Sequence, residues 1–174
     1  MIRPPSLTGD YDLVYSGDPA LDAPPEPKQE TGETTEAYVE RATKFYESAE
    51  WKEWREKLRL AREVGSPEAW QSLLKPGGKP TLFRMGRVDG NVWRSVLDHI
   101  NVVGLSSAAA LVFRAAIKGF VEFDFKLDYA TDKTIDARIA SPKVVSALDA
   151  IHPGIVSELG NEVYRRMTNP SPLS

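Results

Sequence analysis

Glu122, Asp124 and Asp128 recur at even positions of the segment FVEFDFKLDY at 120–129, so an extended backbone would set them on one face. Carboxylates gathered on one side of a strand are what a hard cation or a general acid–base pair requires. Lys126 falls in the same row and neutralises part of that field, which makes a solvated strand face the simpler reading.

The other residues able to do chemistry are scattered. His99 and His152 have no partner at the HExxH-like spacing that puts two ligands on one helical face. His152 stands directly before Pro153 and reads as a helix boundary, while His99 reads as closing a helix end, where a cation is favoured. No serine sits in a G-x-S-x-G elbow. The chain has no cysteine, which excludes thiolate catalysis, disulfides and iron–sulfur ligation. Gly77-Gly78 within KPGGKP lacks the spacing and the Lys-Ser or Lys-Thr ending of a phosphate loop and reads as a turn. No catalytic residue, metal ligand or cofactor is assigned.

The 174 residues suffice for one substantial core. Residues 1–79 carry 15 Asp or Glu against 11 Lys or Arg, and residues 80–174 carry 10 against 11, which together give the net charge of −3. Neither half is basic enough to favour a phosphate backbone, so a nucleic-acid partner is disfavoured. The N-terminus has no apolar stretch of signal-peptide length, and the hydrophobic run at 103–119, interrupted by Arg114 and Lys118, is too short for a membrane span. A soluble protein with no membrane partner and no small-molecule substrate is expected.

Four regions follow from punctuation and periodicity. Residues 1–33 form an extended proline-rich segment in which PPEPKQETGE reads as exposed linker, and Tyr11 to Tyr15 is the apolar cluster able to add a strand to its own domain or to a partner. Residues 34–79 form a charged amphipathic helical arm. There Thr34 or Thr35 is the N-cap, Tyr38, Ala42, Phe45 and Ala49 make one stripe, Trp51, Trp54, Leu58 and Ala61 continue it, and Ser48 is a candidate start for a second helix. Gly65 ends this pattern and Ser66-Pro67-Glu68 opens a short helix with Trp70. Residues 80–169 form a mainly helical core domain. It holds a strand at 81–85, a helix from Asp89 to Ile100, the small-residue helix at 103–119, the strand at 120–129, a helix begun by Ser141-Pro142 and a last helix carrying Ile155, Leu159, Val163 and Met167. Residues 170–174 are a polar tail. The fold class expected is mainly α: a compact helical domain with a few short strands and an extended N-terminal region carrying the charged arm.

Trp51 and Trp54 serve either as a packing stripe or as a contact for a subunit or peptide; a base-stacking surface is opposed by the surrounding glutamates. With Tyr11, Tyr15 and Trp70 they are the candidate partner-binding aromatics. At least one of Trp51 and Trp54 is expected to be substantially exposed.

SGDPALD at 16–22, PTLFRMGRVDGNVW at 80–93, AAALVFRAAIKGF at 108–120 and PGIVSELGNEVYRRMTN at 153–169 resemble segments of the small tail assembly proteins of tailed bacteriophages. The resemblance covers about 110 residues and implies a non-enzymatic assembly chaperone or minor virion protein that holds tail or tape-measure subunits. It also implies residence in the host cytoplasm during assembly or in the particle, with phage structural proteins or further copies of the chain as partners. Residues 23–79 are an insertion relative to that pattern, FVEFDFKLDY is more strand-like than it, and it supplies no catalytic residue. Two readings stand beside it: a non-phage helical structural or regulatory interaction module, and a small carboxylate-dependent enzyme.

Overall fold

A computed structural model describes residues 9–86, 88, 90–120, 123–124, 146 and 148–168. The chain is mainly α with a few short antiparallel strands. It divides into two units, one of Met1–Tyr15 with Thr81–Ser174 and one of Ser16–Pro80. These boundaries differ from those read in the sequence. The Tyr11 cluster belongs with the C-terminal domain because it pairs into its sheet, and residues 16–33 belong with the helical arm because they pack on it.

In the first unit, strands β1 (Tyr11–Leu13), β2 (Phe83–Met85), β3 (Ile117–Phe120) and β4 (Phe123–Asp124) form one antiparallel sheet in the order β1-β2-β3-β4. Alternation fixes the faces. Leu13, Phe83, Met85 and Ile117 are buried, and Phe83 packs its ring against Phe113 and Phe120. The polar row is cross-linked by charge: Asp12 opposes Arg84 in register and accepts from its Nε at 3.2 Å, and Lys118 Nζ reaches Asp10 at 2.6 Å. A bulge between Arg84 and Met85 leaves Lys118 as the extra residue on β3.

The hydrophobic run is shorter as a helix than its composition predicts. It turns extended at Ile117, with φ −61° and ψ 131°, so Ile117, Lys118 and Gly119 join the sheet. Tertiary pairing with β2 wins here over a helical pattern that Gly119 was already about to break. Asp124 lies in β4, while residues 125–129 of the expected strand, Glu122, the Asp89 cap and the helix start at Ser141-Pro142 lie outside the described residues.

Against this sheet unit's core pack α4 (Gly90–Val103), α5 (Leu105–Ala116) and a C-terminal helix. Gly104, at φ 80°, makes the turn between α4 and α5. On α5 the small residues Ala108, Ala109, Ala115 and Ala116 are all buried, and they let the C-terminal helix, Pro153–Thr168, approach at backbone distance. At the crossing, a Cβ built on Gly160 would overlap the Ala109 carbonyl oxygen, well inside van der Waals contact distance. Pro153 opens that helix and His152 Nδ1 accepts from Gly154 N at 3.1 Å, the boundary role its position before proline suggests.

The second unit, Ser16–Pro80, is a pair of consecutive helices with a short closing turn. Helix α1 (Thr35–Glu47) is capped by Thr34, whose Oγ1 accepts from Ala37 N. Ser48 ends α1 and caps α2 (Ala49–Val64) by accepting from Trp51 N at 3.2 Å. Gly65 closes α2 in the left-handed conformation at φ 64°, as the sequence predicts. Helix α3 (Pro67–Trp70) and a 3-10 turn at Gln71–Leu73 then bring the chain back to the N-terminal segment, where Asp22 N donates to Leu73 O and Lys75 N to Ala20 O. Leu21, Trp54, Leu58, Ala61, Trp70 and Leu73 are buried there.

The proline-rich stretch is extended but tied down. Tyr38 Oη donates to Pro27 O, Arg41 Nη2 to Lys28 O at 2.8 Å, and Tyr46 Oη to Glu26. Pro24 is buried, against the reading of this stretch as exposed linker, while Pro25, Glu26 and residues 28–32 are exposed as that reading expects. Prolines at fixed φ lose little further entropy on ordering, so three side-chain contacts from α1 hold them.

Gly160→Ala should therefore destabilise the protein by about 3 kcal/mol, since only backbone movement relieves the overlap with Ala109. Gly90→Ala, where an added Cβ meets nothing, should change stability by less than about 1 kcal/mol. Chemical denaturation of both variants checks the contrast.

Candidate functional site

The five aromatics selected from sequence divide between the units. Tyr11 and Tyr15 are half-buried in the sheet unit, whereas Trp51 is half-buried and Trp54 and Trp70 are buried in the helical one. Trp70 is fully enclosed and belongs to the core of its unit, a correction to its place among exposed anchors. The expectation of a substantially exposed tryptophan on α2 also needs correcting. Trp51 stacks on Trp54 with centroids 5.2 Å apart and meets Phe45 at 5.1 Å and Tyr46 at 5.3 Å, so these rings leave it half-buried.

Trp54 nonetheless lines a groove of about 310 Å³. The groove's buried residues are Pro24, Trp54 and Leu73, contributed by the proline-rich segment, α2 and the 3-10 turn. Around them stand the exposed side chains of Asp22, Glu50, Glu53 and Lys57. Lys57 is held by Glu53 at 2.7 Å, and that contact lowers the Glu53 pKa below the usual carboxylate range. Asp22 and Glu50 carry no ion pair among the described residues, which leaves the rim net negative. The Trp54 indole N–H is buried and has no acceptor there.

The same two helices expose Val39, Tyr46, Leu60 and Val64, the last two one turn apart on α2. Between them run the i,i+3 and i,i+4 pairs Lys44 with Glu40, and Arg59 with Glu56 and Glu63. Such pairs add little to stability but keep the apolar surface dispersed among charges.

In the sheet unit, a second cleft of about 380 Å³ lies between α5 and the start of the C-terminal helix, lined by Ala109, Phe113, Leu148, Ile151 and Val156. Its charged residues, Arg114 and Asp149, satisfy each other at 2.7 Å. Elsewhere in this unit the C-terminal helix carries a buried ionic cluster. Glu162 and Arg166 are buried, Arg165 Nη2 holds Glu162 at 2.7 Å, and the Arg166 guanidinium lies 4.0 Å from the centre of the Tyr11 ring. Burial pushes the Tyr11 phenol up to about 12, Glu162 adds to the rise, and Arg166 opposes it. The cluster fastens β1 to the C-terminal helix. Neither Glu162 nor Arg166 was singled out in the sequence, where they look like solvent-facing members of a charged helix end.

Among the described residues no group of three or more His, Asp or Glu side chains is placed to hold a metal ion, and no helix is long and apolar enough to cross a membrane. The side chains of Glu122, Asp124 and Asp128 lie outside what is described. The chain matches no family model, no curated protein and no solved structure.

The Tyr11 environment has a pH consequence. An acid whose folded pKa exceeds its unfolded value of 10.0 keeps its proton in the native state after the unfolded chain has lost it, so stability falls as pH rises from 10 to about 12. Over that interval the wild type should lose roughly 2 kcal/mol more than Tyr11→Phe. Urea unfolding of both proteins at pH 9, 10, 11 and 12 measures the difference; parallel profiles would show that the phenol is not held in this way.

Proposed function

We propose that this chain is a non-enzymatic assembly protein that binds another macromolecule through its helical unit. What carries the reading is the Trp54 groove, bordered by Asp22 and Glu50, which carry no ion pair among the described residues, in a helical unit that also exposes Val39, Tyr46, Leu60 and Val64. Aromatic anchors at the base of a polar-rimmed depression dominate affinity in protein interfaces. Charge spread along α1 and α2 keeps such a surface dissolved until its partner arrives.

The resemblance of four segments to small phage tail assembly proteins supports a finer proposal: the partner is a tail or other structural subunit of a tailed bacteriophage, held in the host cytoplasm before polymerisation or retained in the particle. Coexpression with tail-tube and tape-measure proteins, followed by affinity capture and size exclusion, tests it. A stable complex that is lost in Tyr46→Ser/Leu60→Ser/Val64→Ser is the expected result. No complex at any stoichiometry would contradict the tail assignment, and a complex indifferent to the triple substitution would contradict docking through the exposed apolar positions of α1 and α2.

A further inference from the structure

We infer that the turn joining α4 to α5 docks into the cleft between α5 and the C-terminal helix of a second copy of this chain. The inference goes beyond the docking reading above and does not rest on it, since both surfaces lie in the sheet unit. Val102 is 82 % exposed, more than any other large hydrophobic residue among those described, and Val103 beside it is 40 % exposed. They end α4 just before Gly104, whose N–H donates to Ile100 O at 2.8 Å and whose positive φ turns the chain. The valines therefore stand on a turn that is already ordered, and ordering costs little when it docks.

The same unit holds the matching socket. The cleft of about 380 Å³ is lined by the apolar side chains of Phe113, Leu148 and Val156, and its charges are the Arg114–Asp149 pair. Charge complementarity accompanies the apolar fit. One turn back from the valines, Asp98 and His99 are exposed; Asp98 offers an acceptor to Arg114 of a second copy, and the His99 imidazole N–H a donor to its Asp149. Plug and socket occupy different places on one molecule, which makes the contact head-to-tail. Two valines cover far less than the ~1,600 Å² of a stable complex, so each contact is weak and acts where copies are concentrated.

Sedimentation equilibrium of the full-length protein between ~10 μM and ~1 mM should give a mass that rises with concentration, with an apparent Kd of about 100 μM. Val102→Lys/Val103→Lys removes the plug, and Ala110→Trp puts bulk into the cleft from an exposed position; each variant alone should stay monomeric. Mixed in equal amounts they should associate again, because one keeps the socket and the other the plug, a recovery that misfolding cannot imitate. Asp98→Lys should weaken association several-fold. Tyr46→Ser/Leu60→Ser/Val64→Ser should associate as the wild type does, which separates this contact from docking through the helical unit. A wild type still monomeric at ~1 mM, or a mixture no heavier than its components, overturns the assignment. Loss of association in the triple variant overturns it as well.

Discussion

Backbone contact between Gly160 and Ala109 sets the geometry of the sheet unit. Because neither position carries bulk at the crossing, α5 and the C-terminal helix meet closely, and the larger residues on either side of it, Val112, Phe113, Leu159 and Val163, are driven into one shared core. Strand β3 continues directly from α5, so the same crossing fixes where the sheet begins. Strand β1 is then held twice, by pairing with β2 and by the Tyr11 ring under Arg166. Sixty-five residues of helical unit can leave and re-enter between β1 and β2 because both strands are anchored independently of what joins them.

The helical unit is built on a different balance. Its core is small and aromatic, centred on Trp70, Leu58 and Leu73, and much of its hydrogen bonding comes from caps and from side chains that pin the proline-rich segment. A unit with a thin core and a dispersed charged surface has apolar area left over. That area lies in the Trp54 groove and on the exposed positions of α1 and α2. The physics that limits its packing is the same physics that equips it to bind, since burial completed by a partner is burial not spent on folding.

Punctuation was the most legible part of the sequence. Thr34 and Ser48 cap through their hydroxyls, Gly65 closes α2 in the left-handed conformation, and Pro67 opens α3 at its first turn although Ser66 makes no side-chain capping bond. Relations that depend on distant partners were harder to read. The Tyr11 cluster is legible as a strand and pairs with Phe83–Met85, but nothing local tells that Ile117 leaves its helix to pair with Met85 or that Pro24 is buried beside α2. The candidate site shows the same division. Trp54 was visible as an aromatic on an acidic helix, but Asp22 lies 32 positions away and joins it only because the 3-10 turn at Gln71–Leu73 pairs with the segment that carries it. Trp70, identical in type, is plain core.

The central claim is that this molecule works by surface docking through residues 16–80. Hydrogen–deuterium exchange on the free chain and on its complex with the captured partner tests that most directly. Protection on binding should concentrate at residues 22–28 and 46–64, with the β-sheet and its helices unchanged. Protection confined to residues 81–168, with the helical unit exchanging as in the free chain, would contradict the account.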